Sequence, residues 1–123
     1  MAIAKVHYNP AEAITAKCKV AVKAGTFVEI AGPVDGRNPL VQPAKAEAQA
    51  LGVAATDGAK DGHVTVLRIG HVVDVVAAAK VDAGDKISAD ADGKAKKTAS
   101  GPVLGVAISN AAKKDDTVTV ALL

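Results

Sequence analysis

The strongest constraint in this sequence is that one pattern of residues occurs in it twice. Residues 51–60 read LGVAATDGAK and residues 104–113 read LGVAISNAAK, and the triplet Val-Thr-Val follows each decapeptide within a few residues. Upstream, VKAGTFV at residues 22–28 parallels VDAGDKI at residues 81–87, and an Asp-Gly pair follows each. Self-similarity at a fixed spacing indicates one supersecondary unit that is used more than once. We therefore expect an internal repeat.

Composition and turn signals predict an all-β fold. Hydrophobic residues make up 50% of the 123 residues but aromatic residues only 2%, so Val, Ala, Ile and Leu must fill the core. β-Branched side chains favour sheets, and their short runs are separated by Gly, Pro, Asn and Asp, as in sandwiches and barrels. We predict a small β-sandwich or partly open β-barrel, built from two similar β modules, with no helix and with an extended N-terminal arm.

Predicted strands alternate with turns along the chain. They are expected at residues 18–22, 27–30, 40–41, 51–55, 64–69, 72–76, 86–89, 98–100, 103–108 and 117–123. Gly52 is expected to let a neighbouring backbone come close. Gly70 interrupts the period-2 pattern, which indicates a bulge or a corner between sheets. Residues 32–39 predict a protruding hairpin or loop, and residues 44–50 combine helix-forming residue types with strand periodicity, so their structure stays open.

The length of the chain indicates a single domain. Residues 1–16 precede the first copy and contain Asn9-Pro10, an extended or turn signal, so they are expected to form an arm. Residues 17–123 are expected to form one β domain, with the repeat at about 22–70 and 81–123. A core of small side chains buries little apolar area per residue, and oligomerisation is expected to compensate for this.

The charge pattern argues against nucleic acid and membrane partners. The 15 basic and 13 acidic residues are scattered, and Tyr8 and Phe27 are the only aromatic residues that could stack on bases. We interpret the basic run at residues 94–97 as a solvated hairpin arm. The sequence lacks a signal peptide and any stretch of about 18 uncharged apolar residues, so we expect a soluble protein made in a cytoplasm.

The single cysteine offers neither a disulfide nor a thiolate metal cage. Cys18, Val20 and Val22 share one face of an alternating strand while lysines occupy the other, so we predict that Cys18 is buried as a small hydrophobic side chain. A nucleophilic cysteine would need a His and a third group nearby, and the sequence indicates neither.

Histidines and glycines show no catalytic or cofactor-binding pattern. His63 and His71 are eight residues apart, about 26 Å along an unbroken strand; a bend at Gly70 would bring them together with Asp74, but ordinary strand-edge histidines are the expectation. The glycines lack phosphate-loop spacing, and the serines lack the G-x-S-x-G elbow. We predict a protein that is not an enzyme and has no cofactor, no metal site and no catalytic residue.

A series of short motifs carries a resemblance to a known family. In order, they are EAIT at residues 12–15, VKAGTFVEIAG at 22–32, LGVA at 51–54, VTVLRIG at 64–70, VDAG at 81–84 and LGVA at 104–107. In the order of these motifs and in its composition, which is rich in Ala, Val and Gly and poor in aromatic residues, the sequence resembles the small decoration (cement) proteins of tailed-bacteriophage heads. The resemblance implies a β-rich subunit, commonly a homotrimer, that binds the major capsid protein on the outside of an assembled shell, at local threefold positions, and stabilises it. It implies no catalytic residues.

The arm is the predicted contact region because it lies outside the repeat. Tyr8, Asn9, Pro10 and Ile14 are expected to touch the capsid or an adjacent subunit, with Tyr8 and Ile14 as apolar anchors. The alternative for these residues is a frayed terminus.

Two other functions are weighed against a capsid protein. Residues 81–87 also resemble the turn of biotinyl and lipoyl carrier domains, in which a hairpin-tip lysine is modified, and Asp92-Gly93-Lys94 would be that tip. The Met-Lys-Met and Asp-Lys-Ala tripeptides of such domains are absent from the sequence. The other alternative is a generic adhesion or scaffold module.

Overall fold

A computed structural model describes residues 13–123, and within this range the chain consists of ten strands without a helix. The strands are β1 (Ile14–Cys18), β2 (Phe27–Asp35), β3 (Asn38–Pro43), β4 (Gly52–Ala54), β5 (His63–Leu67), β6 (Val72–Val76), β7 (Lys86–Ala89), β8 (Ala95–Lys97), β9 (Gly105–Ala107) and β10 (Thr117–Leu122). The all-β prediction is confirmed.

The ten strands form two five-stranded units. In the first unit, β1 to β5 close into a barrel in the order β1-β3-β2-β4-β5. Strand β1 pairs with β3 in parallel and with β5 in antiparallel orientation, which closes the barrel. In the second unit, β6 to β10 form a sheet in the order β6-β10-β9-β7-β8, and one parallel bridge between Ala77 and Ala95 links its outer strands. The chain crosses between the units at Gly70, whose φ is +96°, as the interrupted alternation predicts.

The pairing pattern of the first unit recurs in the second. Val22 forms an isolated bridge with Gly58, and Val81 forms the corresponding bridge with Ala111. The strand pairs follow the same correspondence, with Phe27↔Val53 matched by Lys86↔Val106, Val28↔Pro43 by Ile87↔Lys97, Val53↔Leu67 by Val106↔Ala121 and Lys17↔His63 by Val76↔Thr117. Strands β1 to β5 therefore correspond one by one to β6 to β10.

The two hydrophobic cores match in the same way. Each buried residue of the first core has a buried counterpart in the second; the pairs are Ile14/Val73, Ala16/Val75, Cys18/Ala77, Val22/Val81, Val28/Ile87, Val41/Ala95, Ala54/Ala107, Val64/Val118 and Val66/Val120. The buried side chains of the first core are all Val, Ile, Ala or Cys. Such thin cores bury little apolar area each, so the units gain stability by packing on one another.

The repeated Leu-Gly-Val-Ala motif has a steric basis. A Cβ atom on Gly52 would collide with the carbonyl oxygen of Leu67, and a Cβ atom on Gly105 would lie 2.6 Å from the carbonyl oxygen of Ala121. Both contacts are with the adjacent antiparallel strand, and real Cβ atoms do not approach a backbone oxygen so closely. The close backbone approach predicted for Gly52 is confirmed.

Phe27 joins the two units. Its side chain is 1% exposed and belongs to the core cluster of the second unit, whereas its counterpart Lys86 is exposed to solvent. Its backbone N–H donates to the Gly93 carbonyl (2.7 Å), and its carbonyl accepts from the Ala44 N–H (3.0 Å). Val53 and Leu67, on the outer face of the same barrel, also contact this cluster. The interface is therefore a continuous extension of the second core.

Some boundaries differ from the predictions. Strand β1 begins at Ile14, so residues 14–16 belong to the β domain and not to the arm. It ends at Cys18, so Val20 is 43% exposed instead of sharing the buried face of Cys18 and Val22. Cys18 itself is fully buried as predicted, and burial raises the pKa of its thiol.

Two further segments differ because long-range contacts decide them. The strand predicted at residues 98–100 lies instead at Ala95–Lys97, where Ala95 is buried and Lys96 is half-buried, so the basic run is not a solvated arm. Residues 44–50 are neither helix nor strand; they cross to the second unit, where the Glu47 N–H donates to the Ala89 carbonyl (3.0 Å). The predicted hairpin at residues 32–39 is present, with strand pairing that extends to Asp35 and Asn38.

Replacing Phe27 by Ala should lower the free energy of unfolding by about 3–5 kcal/mol, because it leaves a cavity between the units. The matched control is Lys86→Ala, which changes the corresponding exposed position and should shift stability by no more than about 0.5 kcal/mol. Urea unfolding followed by circular dichroism measures both. Equal effects of the two substitutions would show that Phe27 does not join the units.

Candidate functional site

The described residues contain no cluster of metal-binding groups. Within residues 13–123, no three His, Cys, Asp or Glu side chains are placed to hold a metal ion. His63 is exposed on β5, and the Nδ1 atom of His71 lies 3.0 Å from the Arg68 carbonyl oxygen. The same range holds no helix long and apolar enough to cross a bilayer.

An ion pair centred on Glu47 fastens the crossing segment to the second unit. One carboxylate oxygen of Glu47 lies 2.6 Å from the Lys96 ammonium, and the other accepts from the Gly101 N–H at 2.9 Å. The hydrogen bond from Lys96 lowers the pKa of Glu47, and the N–H donors of Gly101 and Ala99 lower it further. The Glu47 backbone has a φ of +58°, in the left-handed region. We call Glu47 with its partners Lys96, Ala99 and Gly101 the clamp. It holds residues 44–50 against the second unit, in a conformation that is neither helix nor strand.

Lys94, the candidate carrier lysine, is held in a second ion pair. Its ammonium lies 2.8 Å from an Asp115 carboxylate oxygen, and this hydrogen bond raises the pKa of Lys94 and lowers that of Asp115. Asp90 accepts from the backbone N–H groups of Asp92 and Lys94, which fixes the turn. The lysine side chain is 23% exposed. It does not project freely from a hairpin tip.

The first exposed apolar surface is the hairpin of β2 and β3. Beyond the Ile30↔Val41 pair, these strands continue to Asp35 and Asn38. In the second unit, Ala89↔Ala95 is the last pair, and the β7–β8 turn lies directly between these two residues. The additional length exposes Ile30 and Val34, at 52% and 63% of their surfaces. We call residues 30–40 the long hairpin. It is an apolar projection that the second unit lacks.

The second exposed surface is a groove between the units. Strand β6 forms one wall, and Val53, Ala54, Ala55 and Leu67 of the first unit line the opposite side. At one end, the Gly25 carbonyl accepts from the Val76 N–H (2.8 Å), and the Gly25 N–H donates to the Ala54 carbonyl (2.8 Å). We call this surface the β6 groove. It combines apolar side chains with the edge of a strand.

The predicted contact residues do not all lie on the surface. Ile14 is 4% exposed in the core of the first unit, where it pairs with Val66, so its side chain is not an apolar anchor for a partner. The alternation of Ile14, Ala16 and Cys18 is the sequence signal that assigns it to a strand. Tyr8, Asn9 and Pro10 lie outside the described residues, and their contacts stay a prediction.

Comparison with known proteins decides the family. The family described as phage cement protein matches residues 8–122, nearly the whole chain. The chain belongs to the phage cement protein family. Its role is therefore structural, in the decoration of a phage head. Members of this family are structural phage proteins, and the family implies a component of the virion.

A solved structure supports the fold. The chain is similar to the N base of the head fiber gp8.5 in bacteriophage phi29, with a TM-score of 0.75 and 23% sequence identity, over 91% of this chain and 93% of the other. At this identity the likeness establishes the fold alone. A comparison with curated protein sequences finds no significant match.

Replacing Glu47 by Gln should lower the urea midpoint at pH 7, because the charge partner of Lys96 is lost. The pKa of Glu47 is lowered in the folded state, so its stabilising effect is present above the unfolded-state pKa and is lost as pH falls through the folded-state pKa. The difference between wild type and E47Q should therefore shrink as the pH falls below the ordinary pKa of a Glu side chain and through the lowered folded-state pKa.

The Lys96→Gln variant and the double variant E47Q/K96Q complete a double-mutant cycle for this pair. We expect the two single changes to be non-additive at pH 7. Additive effects, or a difference between wild type and E47Q that is independent of pH, would contradict the clamp.

Proposed function

We propose that this chain binds the outer surface of an assembled phage head as a homotrimer and stabilises the shell through contacts with the major capsid protein. The observation that carries the proposal is the family match over residues 8–122. The exposed apolar residues Ile30 and Val34 on the long hairpin support a surface-binding role, since large exposed apolar groups mark interaction surfaces when they cluster. We also infer that the two units are copies of one β module.

Stability and multivalent binding both support a trimer. Each unit has a core of small side chains, and burial of further surface between subunits adds to a modest total. Three linked subunits also bind a shell more tightly than one, because the second and third contacts become intramolecular. A weak contact per subunit is then sufficient for stable decoration.

The arm is the proposed contact with the shell. Residues 8–10 are Tyr-Asn-Pro, and amphipathic aromatic side chains are frequent anchors at interfaces. Ile14 is buried in the core of the first unit, so the β domain begins at that residue and not at residue 17. An arm deletion that preserves the fold must therefore end before residue 13.

A carrier domain is the alternative that Lys94 would support. Such a lysine must be reached by a ligase at the tip of a turn, whereas this ammonium is paired with Asp115. Unchanged intact mass after coexpression with a biotinyl or lipoyl ligase is the result that the capsid role requires.

Deleting residues 2–12 should leave a folded protein that no longer co-sediments with heads purified from a phage mutant lacking this protein. Circular dichroism and thermal unfolding check the fold. The triple variant Tyr8→Ala/Asn9→Ala/Pro10→Ala tests the three predicted contacts without changing the length, and Lys60→Ala, in an exposed loop, is the control. Co-sedimentation of the deletion variant at the wild-type level would exclude the arm as the contact.

Size-exclusion chromatography with light scattering should give a mass of three times 12.2 kDa for the free protein, or for protein released from heads. The closure of three subunits into a ring is the reason for this expectation. A mass of 12.2 kDa under both conditions would contradict the trimer.

A further inference from the structure

The first unit binds the second through one row of side chains. Phe27, Val53 and Leu67 stand opposite one another on β2, β4 and β5, and all three contribute to the core cluster of the second unit. Phe27 and Val53 are each only 1% exposed, because the second unit covers them. The outer face of one such β unit is therefore a binding surface for another unit of the same fold.

The second unit has the same row of positions, and there the row lies outside both cores. By the correspondence of the strand pairs, its members on β7, β9 and β10 are Lys86, Val106 and Ala121. Val72 extends the row onto β6, where it pairs with Ala121. Val72 is 59% exposed, and none of these four side chains belongs to a core cluster of residues 13–123.

Ile108 and Asp74 enlarge this surface. Ile108 alternates with the buried Ala107, so it lies on the same side as Val106, and 55% of its surface is exposed. Asp74 pairs with Thr119 on the neighbouring strand. Clustered apolar groups of this size mark an interaction surface. We call the surface the second outer face; its residues are Val72, Asp74, Lys86, Val106, Ile108 and Ala121.

The long hairpin stands where the first unit would receive such a face. In the intact chain Phe27 packs in a cluster that includes Ala89, at the last pair of the β7–β8 hairpin. The corresponding residue of the first unit is Ile30. Ala89 is fully buried, whereas Ile30 is 52% exposed and the hairpin continues to Val34, which is 63% exposed. The first unit thus exposes apolar groups at the place where the second unit receives its neighbour.

We propose that the second outer face binds the long hairpin of a second copy of this chain, head to tail, with Arg37 of the hairpin beside Asp74 of the face. A second copy is the occupant because the same row of positions already binds this fold within the chain. The receiving end of the second unit is filled by its own first unit, so the first unit of another copy offers the open end.

Charge complementarity selects the orientation of the hairpin. One oxygen of Asp74 accepts from the Thr119 hydroxyl at 2.8 Å, which leaves the other oxygen for a cation. Arg37 follows the tip residue Gly36 and is exposed. The ion pairs described within residues 13–123 involve neither Arg37 nor Asp74. Opposite charges across an interface fix its register more than they add affinity.

The inference rests on the proposed homotrimer and names the two surfaces that form it. A head-to-tail contact joins different surfaces of two copies, so each copy still has one surface free, and three copies can close into a ring. The arm, and not the long hairpin, stays the proposed contact with the shell. A trimer built on other surfaces would still decorate a head, so the two proposals fail separately.

Removal of apolar side chains tests the contact. Ile30→Ser/Val34→Ser on the hairpin and Val72→Ser/Ile108→Ser on the face should each reduce the mass from three times 12.2 kDa to 12.2 kDa, under the condition in which the wild type is trimeric. The matched control is Val20→Ser, which changes an exposed apolar residue outside both surfaces and should leave the trimer intact.

Circular dichroism verifies that these variants fold, and co-sedimentation with heads separates the two proposals. Trimeric double variants would overturn the interface, and loss of head binding by a trimeric hairpin variant would assign the long hairpin to the shell. A wild type that is monomeric both free and after release from heads would overturn the trimer and this interface together.

Charge exchange tests the pairing of Arg37 with Asp74. Arg37→Asp and Asp74→Arg should each raise the protein concentration at half-dissociation of the trimer by about tenfold or more, and the double variant R37D/D74R should restore the wild-type value. The control is Lys80→Asp, which changes the net charge as R37D does but lies in an exposed turn. Absence of rescue, with all variants folded, would overturn the pairing.

A disulfide tests the head-to-tail arrangement. The variant Arg37→Cys/Asp74→Cys, with the buried Cys18 left in place, should oxidise to a linked trimer on non-reducing gels. Each single variant should form no linked dimer, because a head-to-tail contact keeps identical positions apart. The control Arg37→Cys/Lys80→Cys should form no linked species. Linked dimers of a single variant, a disulfide within one chain, or no disulfide in a trimeric protein would overturn the proposal.

Discussion

Burial of Phe27 between the two units is the interaction on which the rest of this structure depends. The Phe27 ring lies in the core of the second unit. The backbone N–H of Phe27 donates to the Gly93 carbonyl, and its carbonyl accepts from the Ala44 N–H. It is the one phenylalanine in a sequence without tryptophan. A core of Val and Ala fills a narrow barrel but offers little area for joining one barrel to another, so a single large side chain has a large share of that interface.

The two units show how similar modules acquire different surfaces. Their ladders and buried residues correspond, yet Phe27 corresponds to the exposed Lys86, and the long hairpin corresponds to a short turn between β7 and β8. The first unit packs its outer face, with Phe27, against the second unit. At the corresponding position the second unit has Lys86, which is exposed to solvent. Among residues 13–123, the exposed apolar side chains include Ile30 and Val34 of the long hairpin and Val72 of the β6 groove. A structural protein that binds a large partner needs such surfaces and no reactive cluster.

Much of this fold follows from local sequence signals. The Gly-centred turns, the alternating valines and the interruption at Gly70 predict most strands and the passage between the units, and Gly52 predicts the close backbone approach seen at Leu67. The alternation of Ile14, Ala16 and Cys18 is also a strand signal, although the position of these residues before the repeat favours an arm. Comparing the two copies position by position would have revealed Phe27, because a phenylalanine stands where the other copy has a lysine.

The remaining features depend on contacts between distant residues. The carboxylate of Glu47 is bound by Lys96 and Gly101, about half the chain away, so local propensity is silent on the conformation of residues 44–50. The same pair draws Lys96 into β8, although a run of lysines favours a solvated turn. The family, by contrast, is accessible from the order of weak motifs over the whole chain.

Cryo-electron microscopy of the phage particle tests the central claim, that this pair of joined β units decorates a phage head, most directly. The account predicts density for three ten-stranded subunits around local threefold positions on the outside of the shell. Density confined to the interior, or heads that lack this chain altogether, would contradict it.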